Sequence, residues 1–198
     1  MHIHFDFWPT VSFALVMFSW FLFAIVFVIQ KRPPSPPDKE RDPGSLIGVI
    51  LQGVSYAVVW AWHRHPFEAM VSMNNAAKIL FVIVTAIISF GSVLVVMAAV
   101  RVLGKEWSVM ARVVEGHELV TSGPYQFVRH PIYTGMLGML VATGLAVSHW
   151  LGLLIGLFLF VIGTAIRVRS EERLLHETFG ARFENYRQRV PAVVPFVF

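Results

Sequence analysis

Residues 132–166 read IYTGMLGMLVATGLAV, then Ser148-His149-Trp150, then LGLLIGLFLFVIGTAI: two apolar runs of 16 residues, neither holding an Asp, Glu, Lys or Arg. Three residues between them leave room only for a tight turn, so the stretch predicts a helical hairpin. Sixteen helical residues reach about 24 Å, short of the ~30 Å hydrocarbon core of a bilayer. The second helix gains length by continuing into the charged residues 167–179. Gly152 and Gly156 form a small-xxx-small pattern that lets a neighbouring helix approach closely. Gly180 is the expected helix stop, with a second short amphipathic helix over 181–189.

Outside the hairpin, polar residues crowd at its open end. Before it stand His117-Glu118-Leu119-Val120, Gly123-Pro124-Tyr125 and Arg129-His130-Pro131-Ile132-Tyr133. After it stand Arg167, Glu171-Glu172, Phe179-Gly180, Tyr186 and Val190-Pro191. In a chain this apolar, such residues are costly unless they solvate one another or a ligand. Two such blocks at one end of a hairpin point to a site at a membrane surface.

The rest of the chain agrees. Its 198 residues are 56% hydrophobic and only 14% charged, with mean hydropathy +0.66. That composition belongs to polytopic membrane proteins, and the length allows one domain with about five spans. Without cysteine there is no disulfide framework, Cys-zinc site or thiol nucleophile. The net charge of +4 lies at span ends, which suits anionic lipid headgroups rather than nucleic acid. Residues 1–8 lack the basic n-region of a signal peptide, so the first apolar segment is expected to be retained.

Spans are expected over 9–29, 45–62 and 76–100, ahead of the two helices of the hairpin. Prolines 33, 34, 36, 37 and 43 make 31–44 a stiff linker, and 105–131 is too charged to cross. Four cations fall in the first linker, four in 101–129 and six in 167–189. The opposite side holds Arg64 and Lys78 alone. The positive-inside rule then places the N-terminus outside and the C-terminus and both polar blocks in the cytosol, with five crossings. In a prokaryote this is the inner membrane.

The ordered motifs His-x-Leu-Val, Gly-x-Tyr, Arg-His-Pro-x-Tyr, Arg-x-x-x-Glu-Glu, Phe-Gly and a closing Tyr with Val-Pro resemble the isoprenylcysteine carboxyl methyltransferase family, including its small prokaryotic members and the related phospholipid methyltransferases. The resemblance covers about 103–195. It implies a methyltransferase core in 101–198, which with the three N-terminal spans read from hydropathy in 1–100 makes a single domain with an all-α, polytopic integral membrane fold. It also implies a site for S-adenosyl-L-methionine, on the side that the charge count makes cytosolic, lined by His117, Leu119, Val120, Tyr125, His130, Pro131, Ile132, Tyr133 and Glu171. Glu118 comes along in the same short motif. The residue matching Arg167 contacts substrate in that family, so Arg167 and Glu171 are the catalytic candidates. One departure is Met110, where eukaryotic members carry a polar cofactor contact seven residues before the motif histidine.

These residue types suit the chemistry. An acid such as Glu171 can hold the cofactor's ammonium or ribose, and histidine and backbone groups can read adenine and carboxylate. Tyr125 and Tyr133 offer aromatic faces that tolerate a cation. Methyl transfer to a carboxylate is an in-line displacement with little proton chemistry, so alignment and charge balance supply most of the catalysis. Arg167 would orient an anionic, lipophilic acceptor through a bidentate contact. An amine acceptor would need a base, and Glu171 or Glu172 is the nearest. Blander readings stand beside these: Arg112 and Arg173 as headgroup anchors, His130 as a cap before a helix that starts with proline, Tyr125, Tyr133 and Trp107 as interfacial aromatics. His63-Arg64-His65 and His2 with His4 read as solvated turns rather than metal ligands, and no metal or obligate protein partner is expected. Two rival functions remain: an NADPH-dependent membrane reductase of the sterol-reductase type, and a non-enzymatic membrane protein.

Overall fold

A computed structural model of the chain describes residues 6–29, 38–42, 44–64, 68, 70, 73–104, 112–114 and 118–195. Among the described residues six α-helices carry the fold: α1 Phe7–Ile29, α2 Ser45–Ala61, α3 Asn75–Leu103, α4 Pro131–Val147, α5 Trp150–Phe179 and α6 Ala181–Arg187. Three of them, α1, α3 and α5, are long and apolar enough to cross a membrane, while α2 and α4 are apolar but shorter. Two elements were not foreseen. Strand β1 (Asp38–Arg41) lies in the expected linker, and it pairs antiparallel with β2 (Arg112–Val114) in the second polar segment.

The predicted hairpin is α4 and α5. Pro131 opens α4, where its missing N–H costs nothing. Asn74 opens α3 by accepting the Ala77 N–H at 2.9 Å. At 30 residues α5 is about 45 Å long, so it outruns the hydrocarbon core by several turns. Gly180 ends it with φ of 51°, a left-handed conformation that a side chain would strain. The following helix stops at Arg187, two residues earlier than expected.

Helix α4 is the hub. Its Met139 packs with Val26 of α1 and Val93, Val96 and Val100 of α3. Its Ala142 and Ala146 meet Val16, and its Leu140 meets Val59 of α2 and Phe160 of α5. Small polar residues tie the helices across these apolar faces, as membrane bundles do. Ser19 donates to Ser89 at 3.0 Å, Trp20 to Thr143 at 3.0 Å, Gln52 to Thr164 at 2.9 Å, and Tyr56 to the Met136 carbonyl at 2.6 Å.

At one end of the bundle the α2–α3 and α4–α5 connections meet. His149 donates its N–H to the Trp62 carbonyl, and Arg64 donates its N–H to that of Val147, both at 2.9 Å. The Arg64 side chain corrects the solvated-turn expectation. Its guanidinium donates to the Leu145 and Ala146 carbonyls at 2.8 and 2.6 Å, capping the negative end of α4. His2, His4 and His65 lie outside the described residues. The opposite end carries the β1–β2 ribbon, the charged half of α5, α6 and the residues before α4.

Candidate active site

Helix α5 presents Arg167 and Glu171 one turn apart, so both fall on one face. That face is turned toward the start of α4. The Arg167 side chain is 7% exposed, and a buried guanidinium must be neutralised and hydrogen-bonded. Tyr133, in the first turn of α4, does part of this. Its hydroxyl accepts from Arg167 Nε at 2.6 Å and donates to Glu171 Oε1, and its ring lies 5.1 Å from the guanidinium carbon. Arg167 Nη2 also reaches Glu171 Oε1 at 3.4 Å.

His130 extends the chain of charges. It precedes α4, is buried, and stacks on Tyr133 with ring centroids 5.7 Å apart. Its Nδ1 faces Glu171 Oε2 at 3.2 Å and its Nε2 faces Glu172 Oε1 at 3.1 Å. Both carboxylates are acceptors, so both ring nitrogens donate and the ring is an imidazolium. Burial alone would lower the His130 pKa, but hydrogen bonds and charge from Glu171 and Glu172 outweigh it and raise it above its ordinary value. Glu172 is held in turn by Arg129 Nε at 2.8 Å and Arg187 Nε at 3.6 Å. From Arg167 to Arg129 the charges alternate plus, minus, plus, minus, plus. The arrangement keeps an excess of positive charge, with Glu171 its most exposed carboxylate at 24%.

The C-terminal strap closes over this array. The Arg129 and His130 N–H groups donate to the Pro191 and Ala192 carbonyls at 2.8 and 2.9 Å. Arg129 Nη1 donates to the carbonyls of Arg187, at 2.9 Å, and Val190, and Thr134 to that of Val193 at 2.5 Å. The Tyr186 hydroxyl donates to the Tyr125 carbonyl at 2.5 Å. Burial pushes the Tyr125 and Tyr186 hydroxyls up, so both stay neutral at physiological pH.

Of the expected site residues, the fold therefore gathers Tyr125, His130, Pro131, Tyr133, Arg167 and Glu171, with Ile132 half-buried beside them. Glu118 is exposed, and Leu119 and Val120 are half-buried. His117, Trp107 and Met110 lie outside the described residues, as does the Arg112 side chain. Sequence reasoning treated Glu172 only as an alternative base and Arg173 as a headgroup anchor. In fact Arg129 and His130 of one motif meet the Glu-Glu pair of the other, a pairing that the adjacent Arg-His and Glu-Glu dipeptides could have suggested. Arg173 Nη2 instead pairs with Asp42 at 2.7 Å, and the Ser170 hydroxyl donates to the same carboxylate. Chiefly that Ser170 bond, with the Gly44 N–H and Arg173, holds Asp42 below the ordinary carboxylate range.

Comparison with known proteins covers the same region. A family model described as phospholipid methyltransferase matches residues 79–182, just over half of the chain. Protein-S-isoprenylcysteine O-methyltransferase B of Arabidopsis thaliana is 39% identical over 83 residues, 42% of each chain. Protein-S-isoprenylcysteine O-methyltransferase of Saccharomyces cerevisiae is 35% identical over 81 residues, 41% of this chain and 34% of that one. Methanethiol S-methyltransferase of Crocosphaera subtropica is 34% identical over 74 residues, 37% of this chain and 28% of that one. The chain spans less than half the length of each of these relatives.

Proposed function

The chain belongs to the phospholipid methyltransferase family, and on that premise we propose that it is an integral membrane methyltransferase that uses S-adenosyl-L-methionine to methylate a lipophilic acceptor. The acceptor we favour is the carboxylate of a prenylcysteine-like lipid. One observation carries this reading: two motifs distant in sequence meet as a single alternating charge array at one end of an apolar bundle.

Bound S-adenosyl-L-methionine supplies an electrophilic methyl group on a sulfonium centre. The chain's own residues fit such a cation. The Glu171 side chain is partly exposed, and Tyr125 and Tyr133 stand beside it as aromatic rings. His117, Glu118, Leu119 and Val120 would complete the cofactor wall, and His130, Pro131 and Ile132 its base. Arg167, held by Tyr133 and Glu171, would orient the acceptor anion and exclude water from it. No proton needs to move when the acceptor is a carboxylate.

The way Glu171 is held supports this acceptor class. It accepts from Tyr133, Arg167 and His130. A carboxylate so well supplied with donors is a weak base, so an amine acceptor, which must lose a proton, is disfavoured. With the N-terminus outside and C-terminus in the cytosol, the cofactor would arrive from water and the acceptor laterally from lipid.

Purified protein and methyl-labelled donor, assayed against an S-prenylated N-acylcysteine, a phospholipid amine, a small thiol and a native lipid extract, test the proposal. Label is expected in the prenylcysteine or in an acid of the extract. Label confined to the amine or the thiol would overturn the acceptor assignment. Thermal stabilisation by NADPH and not by S-adenosylhomocysteine would overturn the enzyme class.

A further inference from the structure

Helix α2 lies outside the motifs, yet it touches Arg167 directly. Gly48 is buried against α5. A Cβ at Gly48 would overlap Arg167 Cγ, lie 2.6 Å from the Gly163 carbonyl oxygen and 3.3 Å from the Arg167 backbone nitrogen. A Cβ at Gly163 would in turn lie 2.9 Å from the Gly48 carbonyl oxygen and 3.1 Å from Gln52 N. The two backbones are therefore in contact at this level. The Arg167 stem lies on bare α2 backbone, and its head is pressed against Tyr133 of α4.

A second contact holds α2 in that place. Asp42, just before α2, accepts the Gly44 N–H on Oδ1 at 2.9 Å, and its backbone carbonyl accepts the Ser45 N–H at 3.2 Å. Its Oδ2 is gripped by Ser170 and Arg173 of α5, one and two turns beyond Arg167. One carboxylate thus pins the entry of α2 to the helix that carries Arg167, on the charged-array side of the Gly48–Gly163 crossing.

We propose that Gly48 and Asp42 are positioning residues for Arg167: Gly48 seats its aliphatic stem, Asp42 fixes the helix that bears the seat, and together they set where the guanidinium points. The inference rests on the reading of Arg167 as the acceptor-orienting group. Its consequence is that α2, whose sequence is merely apolar, shapes the acceptor side of the reaction.

The test uses the full-length protein in detergent or nanodiscs, methyl-labelled donor and the panel acceptor that gives the highest rate. Gly48→Ala is expected to lower kcat at least tenfold, with S-adenosylhomocysteine affinity within about threefold of wild type. Asp42→Asn, which adds no atom at the helix crossing, should lower kcat about three- to tenfold with the same unchanged affinity. It keeps the proposal open to refutation if Gly48→Ala does not fold. In an Arg167→Lys background neither change should cost anything further, because residues that act through one group are not additive. A loss of general packing would multiply the two defects instead. A measurement that needs no acceptor is the reaction of Arg167 with phenylglyoxal, read by peptide mass spectrometry. Gly48→Ala should accelerate it at least threefold. Wild-type kcat and wild-type phenylglyoxal reactivity in both the Gly48→Ala and Asp42→Asn variants, beside a crippled Arg167→Lys enzyme, would overturn the positioning role alone. Wild-type turnover in Arg167→Lys itself would instead remove the reading on which it rests.

Discussion

Tyr133→Phe removes one oxygen from the centre of the charge array and keeps the ring. That oxygen accepts from Arg167 Nε at 2.6 Å and donates to Glu171. A hydrogen bond to a charged group contributes roughly 1.5–3 kcal/mol. The two losses do not add. Glu171 retains His130 and the 3.4 Å contact to Arg167, and its partial exposure lets water replace the hydroxyl. Arg167 is more deeply buried, so water reaches it less readily. The variant should therefore lose about 1.5–3 kcal/mol of stability, and the guanidinium should turn from its present direction. If that direction orients the acceptor, kcat falls roughly 10- to 100-fold, equivalent to about 1.4–2.8 kcal/mol of transition-state stabilisation. Affinity for S-adenosylhomocysteine should stay within about threefold, because the ring remains. Steady-state methyl transfer, calorimetry and a thermal melt on one preparation measure all three quantities. Turnover within twofold of wild type would refute the claim that the Tyr133 hydroxyl aims Arg167.

Other predictions concern charge, packing and orientation. His130 has a raised pKa, so its stabilising contribution is complete below its unfolded value of about 6.5 and is lost as pH rises through the folded value. Thermal stability should accordingly step down as pH rises above about 6.5 and through the folded value in wild type, and His130→Gln should show no step. Gly156→Leu forces a side chain where even a Cβ would lie 2.6 Å from Val59 Cγ2 and 3.1 Å from the Ser55 carbonyl oxygen. Overpacking of this kind costs about 1–3 kcal/mol, and a lowered melting temperature with unchanged S-adenosylhomocysteine affinity is expected. Reporter fusions at Lys39, Arg112 and the C-terminus should all report the cytosol, and a non-cytosolic signal at Arg112 would separate the two polar blocks and dismantle the proposed site.

The long elements were legible because periodic apolar runs and their punctuation are local signals. The hairpin, the charged extension of α5, the stop at Gly180 and the close packing at Gly152 and Gly156 all follow from residue type and spacing. The site was half legible. Motif order placed Arg167, Glu171, His130 and Tyr133 in one neighbourhood, but which carboxylate meets which cation depends on how α4 and α5 are rotated against each other. Asp42 escaped notice because its partners, Ser170 and Arg173, lie about 130 residues away in sequence. Nothing in an Asp-Pro-Gly-Ser turn announces them. The β1–β2 ribbon was hidden for a similar reason, since its strands are short, polar and joined only through the fold. Arg64 reads as a wet turn in sequence, yet only the folded hairpin brings the α4 carbonyls within its reach.

The most direct test of the central claim is single-turnover transfer of a labelled methyl group from S-adenosylmethionine by purified protein in native lipid extract, run beside Glu171→Gln and Arg167→Lys. Label should appear in a base-labile methyl ester with the wild-type protein. Glu171→Gln should show weakened cofactor binding, and Arg167→Lys slow transfer at nearly normal cofactor affinity. Absence of label in every extract fraction, together with S-adenosylhomocysteine binding that neither substitution alters, would contradict the account.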